Sequence, residues 1–239
     1  MKYVEQFSAL LECNTETEWL KTLLQFGREH GYEKTLLAVV PNRQTLLEHA
    51  FVRSNYPAQW RCTYDDAKLA NIDPVVTHCL MRSTPLIWKP EIFSSKSQKG
   101  MYDEACGYGI RSGISLPLHG ASGELGILCF VNDVPTDIHF HREALHNMPV
   151  LSLLRDFAFA SSLRFAHSSA PTGIIPTVTH RELECLKWSA AGMDSGEIGL
   201  RLRCSERTVN FHFCNLRRKL NASSRLHAVV KAMRMGLIY

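Results

Sequence analysis

Residues 179–220 have the sequence THRELECLKWSAAGMDSGEIGLRLRCSERTVNFHFCNLRRKL, and this stretch decides the fold of the C-terminal part of the chain. Thr179 with Glu182, and Asp194 with Glu197, stand at the spacing of a capping box, in which each side chain of a pair bonds the backbone amide of the other residue. Each cap contributes about 1 kcal/mol to a helix. The spacing therefore predicts two successive helix starts, and a third follows them.

The third helix starts after Ser205 and has two faces of different polarity. Asparagine can pair with adenine in the major groove, and arginine can pair with guanine or hold phosphate. Three capped helices, the last with such a face, are typical of a helix-turn-helix DNA-binding domain, whereas the alternative is a solvated basic face on a helical bundle. The apolar positions are Val209, Phe213, Leu216 and Leu220, and the polar stripe holds Arg207, Asn210, Cys214 and Arg217 with Arg218 and Lys219 beside it.

Charge is divided unevenly along the chain. Residues 172–239 hold 11 Lys and Arg against 5 Asp and Glu, a net of +6, whereas residues 1–171 hold 16 against 18, a net of −2. A basic domain beside a slightly acidic one predicts a nucleic-acid module controlled by a separate sensing or assembly module. Because Pro, Gly and Ser residues interrupt regular structure between the two, we predict domains over 1–165 and 177–239 with a linker over 166–176.

Composition excludes several other classes of protein. With 45% hydrophobic and 21% charged residues, the chain is an ordinary globular protein. No apolar run approaches the roughly 20 residues of a membrane span, and the N-terminus lacks the shape of a signal peptide, so we expect a cytoplasmic protein without a membrane partner. The eight Cys form no Cys-x-x-Cys pair, and His139, His141 and His146 lack a completing carboxylate, so we expect neither metal nor cofactor.

The hydrophobic patterns of residues 1–165 predict an α/β fold, specifically an α/β/α sandwich on an antiparallel sheet. Small and aliphatic residues share one face of the predicted strands, and such a face is either plain core or the wall of a ligand pocket. We expect helices over 3–12, 16–30, 98–108 and 141–164, and strands over 35–40, 48–53, 113–118 and 124–131.

An aromatic group surrounds one carboxylate between residues 55 and 88. Buried Tyr and Trp side chains normally find hydrogen-bond partners, and a buried Asp must accept hydrogen bonds or cost several kcal/mol. Spacing alone leaves two alternatives open, an internal hydrogen-bond network and a ligand site. The group consists of Tyr56, Trp60, Arg61, Tyr64, Asp73 and Trp88.

The C-terminal stretch resembles the DNA-binding domain of the LuxR-type transcription regulators. Their pattern has a Thr-x-x-Glu helix start, a Leu one turn later, a Gly after the first helix, and Ser-x-x-Thr-Val at the opening of the recognition helix. Thr179, Glu182, Leu186, Gly192, Ser205, Thr208 and Val209 match it. The resemblance implies that Asn210, Phe211 and Cys214 face the DNA groove. The predicted DNA-binding set is completed by Glu206, Arg207, Arg217, Arg218 and Lys219.

The N-terminal part is similar to the autoinducer-binding domain of LuxR-type receptors for acyl-homoserine lactones. NYPAQW, IDP, Trp88 and Gly113 carry this resemblance, and SNYPAQWR with LPLHGASGELG is most similar to the LasR branch. The resemblance implies the roles of the head-group residues: Trp60 donates to the lactone carbonyl, Tyr56 to the acyl carbonyl, Asp73 accepts from the amide NH, and Trp88 packs on the lactone ring. The other implied ligand-binding residues are Leu36, Ala38, Val40, Arg61, Tyr64, Val76, Met101, Ala105, Ile110, Ser115, Leu125, Gly126, Ile127 and Cys129.

Two positions depart from the LasR branch, which carries hydroxyls where this chain has Val75 and Cys129. Val lacks a hydroxyl and Cys is a weak donor, so we expect Tyr56 and Ser115 to carry more of the carbonyl recognition. Arg61 matches the residue that addresses a 3-oxo group through water in that branch. The resemblance therefore implies an effector with a 3-oxo acyl chain of medium to long length.

These expectations describe a ligand-dependent transcription regulator in quorum sensing, an activator and not an enzyme. We expect it to bind an acyl-homoserine lactone, to dimerise, to place two recognition helices on a palindromic operator and to contact RNA polymerase. In the last helix, part of an apolar set is expected to join the two DNA-binding domains. This set is Leu226, Val229, Val230 and Met233.

Three alternatives accompany this prediction. The N-terminal domain could be a phospho-acceptor receiver, for which Asp65 and Asp66 would supply the acidic residues. It could be a lactone-processing enzyme, with Asp73 and His78 as an acid-base pair, although no activated nucleophile accompanies them. The protein could also act by sequestering other regulators, which the sequence does not separate from direct control of transcription.

Overall fold

Five antiparallel strands form the centre of the N-terminal unit, in the order β2-β1-β5-β4-β3. The computed structural model describes residues 2–43, 45–169 and 178–238, and the chain divides into the units Met1–Ala170 and Pro171–Tyr239. The strands are β1 Lys34–Val40, β2 Phe51–Ser54, β3 Leu86–Ile87, β4 Ser112–His119 and β5 Leu125–Asn132. The helices of this unit are α1 Lys2–Glu12, α2 Glu16–Glu29, α3 Ala58–Asp66, α4 Pro74–Met81, α5 Lys96–Gly107 and α6 Ile138–Ser169.

The alternation of side chains along the strands separates two cores, one on each face of the sheet. Leu128 and Phe130 belong to a core shared with α1, α2 and α6. Ile127 and Cys129, the intervening residues of β5, belong to a second core beneath α3, α4 and α5. The predicted α/β/α sandwich on an antiparallel sheet is therefore confirmed, because successive residues of a strand point to opposite faces.

Most element boundaries differ from the prediction by one to three residues, and three differences are larger or of another kind. β2 begins at Phe51, because Leu47–His49 form a turn of 3-10 helix. β3 was not predicted, since a strand of two residues has no detectable period. The last helix of the unit, α6, continues to Ser169, so residues 166–169 of the predicted linker are helical. The remainder of that linker lies outside the described residues.

Within residues 178–238, the C-terminal unit has four helices: α7 His180–Ala190, α8 Ser195–Leu202, α9 Glu206–Lys219 and α10 Arg225–Arg234. Both predicted capping boxes are present, at Thr179 and at Asp194, and Ser205 caps α9. A Cβ on Gly199 would lie 2.7 Å from the carbonyl oxygen of Cys204. Glycine therefore lets α8 approach the turn that leads into α9.

Apolar side chains hold α9 against its neighbours. Val209, Phe213, Leu216 and Leu220 are all buried, as the periodicity predicts. They share one core with residues of α7, α8 and α10. Within residues 2–43, 45–169 and 178–238, no helix combines the length and the apolar character that crossing a lipid bilayer requires.

Candidate functional site

A cavity of about 140 Å³ lies between the second face of the sheet and the helices α3, α4 and α5. One water molecule needs roughly 15 Å³ of such space, so the cavity can hold a larger molecule. Every residue predicted to contact the ligand lines it except Ser115. The lining residues that were predicted are Leu36, Ala38, Val40, Tyr56, Trp60, Arg61, Tyr64, Asp73, Val76, Trp88, Met101, Ala105, Ile110, Leu125, Gly126, Ile127 and Cys129.

Ser115 instead positions Trp88. Its buried hydroxyl accepts a hydrogen bond from Trp88 Nε1 at 2.8 Å and lies 3.1 Å from Cys129 Sγ. The Trp88 ring packs on β4 at Gly113, where a Cβ would come within 3.0 Å of it. Ser115 is absent from the residues that line the cavity, and its contact with a ligand stays a prediction.

The carboxylate of Asp73 is partly satisfied by the protein. Tyr64 donates to Asp73 Oδ2 at 2.8 Å, and the backbone amide of Val75 donates to Oδ1 at 2.8 Å. The second bond makes Asp73 the N-cap of α4. Burial raises the pKa of Asp73 above its ordinary value, while these hydrogen bonds oppose the shift. The internal network considered from the sequence is therefore real for this pair.

Trp60 and Tyr56 differ from Tyr64 in having no such partner. Trp60 is 3% exposed, and its ring packs against Tyr64 and Tyr108 at 5.7 Å between centroids. The side-chain hydrogen bonds of the described residues include none from the Trp60 indole NH or from the Tyr56 hydroxyl, and both side chains border the cavity. Both groups can therefore donate to an acceptor inside the cavity.

Arg61 lies in the cavity wall beside this polar group. Its Nη2 donates to both carboxylate oxygens of Asp65, at 2.7 and 2.9 Å. The guanidinium also lies over the Tyr64 ring, 5.5 Å from its centroid. Side-chain pairing thus holds Arg61 at the edge of the cavity.

Several lining residues were not predicted from the sequence. Leu47 begins the 3-10 turn that precedes β2, and Ala50 directly follows that turn. Neither residue belongs to a hydrophobic pattern with the period of a helix or of a strand. Val75 occupies a position that was noted only for its missing hydroxyl. The additional lining residues are Val39, Leu47, Ala50, Val52, Asp65, Ala70, Val75, Cys79, Leu80, Phe93 and Tyr102.

The chemistry of the cavity argues against catalysis. Burial raises the pKa of Cys129 to about 12 and that of Cys79 still further, so both thiols stay protonated and are poor nucleophiles. His78 Nε2 is 2.8 Å from the carbonyl oxygen of Thr84. That contact engages one ring nitrogen of His78 with a backbone carbonyl, whereas the carboxylate of Asp73 bonds Tyr64 and the amide of Val75.

On α9, the predicted polar stripe is exposed to solvent. Glu206, Arg207, Asn210, Phe211, Cys214, Arg217 and Arg218 are all exposed. Phe211, which periodicity alone places at the edge of the stripe, is 62% exposed. The residues that the resemblance assigned to the groove therefore share one accessible face, and their contact with DNA stays a prediction.

Lys219 departs from that face. Its Nζ donates to Glu182 Oε2 at 2.7 Å, and Glu182, which is 2% exposed, also accepts from the amide and hydroxyl of Thr179. Burial opposes ionisation of Glu182, but these bonds together lower its pKa. The charge of Lys219 is thus paired across the domain with the start of α7, and its contact with DNA stays a prediction.

Comparison with known proteins covers both units. The autoinducer binding domain matches residues 15–161, and the family described as bacterial regulatory proteins, luxR family, matches residues 176–232. The transcriptional activator protein LuxR of Aliivibrio fischeri is 32% identical over 235 residues, which cover 95% of this chain and 90% of that protein. The transcriptional activator protein VanR of Vibrio anguillarum is 31% identical over 208 residues, covering 87% and 85%.

Solved structures show the same fold. The crystal structure of Escherichia coli SdiA has a TM-score of 0.78 at 23% identity and covers 100% of this chain and 98% of its own. SdiA in complex with octanoyl-rac-glycerol has a TM-score of 0.74 at 24% identity, covering 98% and 94%. The sequence matches to both units show that this chain is a ligand-dependent quorum-sensing regulator of transcription and not an enzyme. The chain belongs to the LuxR family of bacterial regulatory proteins and carries an autoinducer-binding domain beside its DNA-binding domain.

Proposed function

We propose that the effector of this regulator is an acyl-homoserine lactone with a 3-oxo acyl chain of medium to long length. The observation that carries the proposal is the polar end of the cavity, where Trp60 and Tyr56 offer donors without a protein partner near the acceptor Asp73. A lactone carbonyl and an acyl carbonyl are acceptors, and the amide NH between them is a donor. The three groups of the ligand complement these three side chains.

The apolar wall sets the length of the acyl chain. Cys129, which lies near Asp73 and Tyr56, marks the polar end, and Leu125 lies four residues along the same strand. At about 3.3 Å per residue, this wall is roughly 13 Å long. An extended hydrocarbon with bonds of about 1.5 Å advances roughly 1.25 Å per carbon. Chains of about ten carbons therefore match the wall.

Arg61 supports the 3-oxo group and with it a place in the LasR branch. Only its Nη2 donates to Asp65, and a guanidinium has five N–H donors. The remaining donors can reach an oxygen on the third carbon of the acyl chain through a water molecule, because Arg61 borders the cavity. An acyl chain without this oxygen would not offer the water molecule an acceptor for its hydrogen bond.

We further propose that the regulator acts as a homodimer on a palindromic operator and activates transcription with RNA polymerase. Leu226 and Met233 of α10 are 73% and 44% exposed and stand two helical turns apart. An apolar strip of this kind can join two DNA-binding domains about a two-fold axis. Two recognition helices would then reach half-sites separated by about one turn of DNA, roughly 10 base pairs.

The ligand is tested by thermal unfolding of the purified full-length chain against acyl-homoserine lactones of graded length, with and without the 3-oxo group. The largest rise in melting temperature is expected for chains near ten carbons that carry the 3-oxo group. Acylglycerol of the same chain length is the matched comparison, because it offers an ester where the lactone offers an amide NH. A larger rise with the acylglycerol would refute the homoserine-lactone assignment.

A further inference from the structure

A serine of α8 forms a hydrogen bond with the side chain of Asn210, which lies at the centre of the exposed face of α9. Ser195 Oγ donates to Asn210 Oδ1 at 2.7 Å, across fifteen residues of sequence. Ser195 is 8% exposed, so this contact belongs to the buried base of the helix-turn-helix. The carboxamide oxygen of Asn210 is therefore hydrogen-bonded to a residue of its own domain.

The direction of this hydrogen bond follows from the third member of the group, Arg225. Its Nη1 donates to Ser195 Oγ at 2.8 Å, and a guanidinium can only donate. The single hydroxyl proton of Ser195 then needs an acceptor, and Asn210 Oδ1 is the one that the described residues provide. Ser195 thus accepts from Arg225 and donates to Asn210.

Arg225 is itself held firmly, which makes the group a rigid support. Its Nε donates to Ser189 Oγ at 2.9 Å, its Nη2 donates to the carbonyl of Met193 at 2.9 Å, and its guanidinium lies over the Phe213 ring at 4.2 Å. Planar guanidinium groups with several donors in use lose little further freedom on binding. The orientation of Asn210 is therefore set before DNA arrives.

The geometry points to Ser195 as a positioning residue that turns Oδ1 of Asn210 toward the protein and its Nδ2 amide protons toward the DNA groove. Oδ1 keeps a second lone pair, so the orientation of the carboxamide, and not the loss of an acceptor, decides which atom DNA meets. Bidentate recognition of adenine needs both the oxygen, for N6, and the nitrogen, for N7. Guanine offers two acceptors, O6 and N7, to a donor, whereas cytosine offers only a donor. Asn210 should therefore favour guanine, give adenine no bidentate advantage and disfavour cytosine.

This inference rests on the proposed binding of α9 in the major groove, and the test separates the two. The full-length, ligand-loaded chain is used to select duplexes from a random-sequence pool, and the base pair addressed by Asn210 is identified as the one whose preference is lost in Asn210→Ala. At that pair we expect guanine in the wild type. Ser195→Ala should release the carboxamide and shift the preference toward adenine, by roughly tenfold relative to guanine.

Ser189→Ala is the matched control, because it removes a bond to Arg225 and leaves the bond to Asn210 in place. It should keep the wild-type base preference, and Ser195→Ala combined with Asn210→Ala should behave as Asn210→Ala alone. Adenine preference in the wild type, or equal changes in the Ser189 and Ser195 variants, would overturn the positioning role. Failure of the wild-type chain to select any sequence would overturn operator binding itself, and the readout with it.

Discussion

Tyr56, Trp60 and Tyr64 form a natural comparison at the scale of single residues, because among the described residues only Tyr64 of these three has a hydrogen-bond acceptor. Tyr64 donates to Asp73, whereas the donors of Tyr56 and Trp60 face the cavity. We predict that Tyr56→Phe leaves the ligand-free melting temperature nearly unchanged, whereas Trp60→Phe lowers it because the smaller ring leaves a void in the core. Each substitution should weaken ligand binding by roughly 0.5 to 1.5 kcal/mol through the lost hydrogen bond.

Tyr64→Phe is the control for this prediction. It should lower the ligand-free stability by about 1 kcal/mol, because a buried carboxylate loses a donor. Thermal unfolding with and without an acyl-homoserine lactone measures both effects. An equal loss of ligand-free stability in Tyr56→Phe and Tyr64→Phe would contradict the distinction between ligand donors and structural donors.

Asp73 has a structural role and a ligand role together. Asp73→Leu should lower the ligand-free stability by about 2 to 4 kcal/mol, because the cap of α4 and the Tyr64 hydrogen bond are both lost, and it should also abolish the rise in melting temperature with ligand. Asp73→Asn keeps one carbonyl oxygen. Its ligand-free stability and its rise in melting temperature with ligand should both lie between those of the wild type and the Leu variant. A preserved ligand response in Asp73→Leu would contradict the ligand role.

At the scale of elements, Glu182 links the start of α7 to the end of α9 through Lys219. The pKa of Glu182 is lowered on folding, so the unfolded chain binds more protons at acid pH. The stability that this residue contributes is present above its ordinary pKa of 4.5 and is lost as the pH falls through the lower folded value. We predict that Glu182→Gln removes this part of the acid sensitivity of the C-terminal unit.

Lys219→Met tests the same ion pair from its other side. It should cost about 1 to 3 kcal/mol at neutral pH, since Glu182 is left buried with only the donors of Thr179. Because Lys219 is paired within the domain, the substitution should leave the salt dependence of DNA binding nearly unchanged, whereas Arg218→Ala should reduce it by about one counterion. An equal change in the salt dependence of DNA binding in both variants would indicate that Lys219 contacts DNA.

At the scale of the whole molecule, ligand occupancy and folding are coupled through the cavity. A ligand at 100 times its dissociation constant adds about 2.7 kcal/mol to the stability of the unit that binds it. For a unit of this size we expect a rise in melting temperature of roughly 5 to 10 °C. Calorimetry of the full-length chain should show this rise for the N-terminal unit and no comparable shift in the unfolding of the C-terminal unit.

Assembly also belongs to this scale. Part of the apolar set of α10 was predicted to join the two DNA-binding domains, and Val229 does not belong to that part, because it is 5% exposed and lies in the core. Leu226 remains the most exposed of them. Leu226→Ser should weaken operator binding by the dimer and leave the melting temperature unchanged. Leu200 of α8 is also exposed to solvent, and Leu200→Ser should change neither operator binding nor the melting temperature. Sedimentation and DNA titration of the two variants measure the difference.

The sequence by itself determined the features that depend on neighbours close along the chain. Capping boxes need only the spacing between Thr179 and Glu182 or between Asp194 and Glu197, and all the predicted caps formed. The two-residue period likewise assigned Leu36, Ala38 and Val40 to the face of β1 that borders the cavity. Such signals are local, because a helix or strand repeats its geometry every few residues.

Tertiary structure alone decided which polar groups meet across elements. Ser115, a predicted ligand contact, accepts from Trp88, 27 residues away. Lys219, a predicted DNA contact, pairs with Glu182, 37 residues away. The carboxamide of Asn210 was expected to be free for adenine, and its oxygen is bound by Ser195. Each of these side chains has donors or acceptors that several partners could satisfy, and only the packing of whole helices and strands brings one partner within hydrogen-bonding distance.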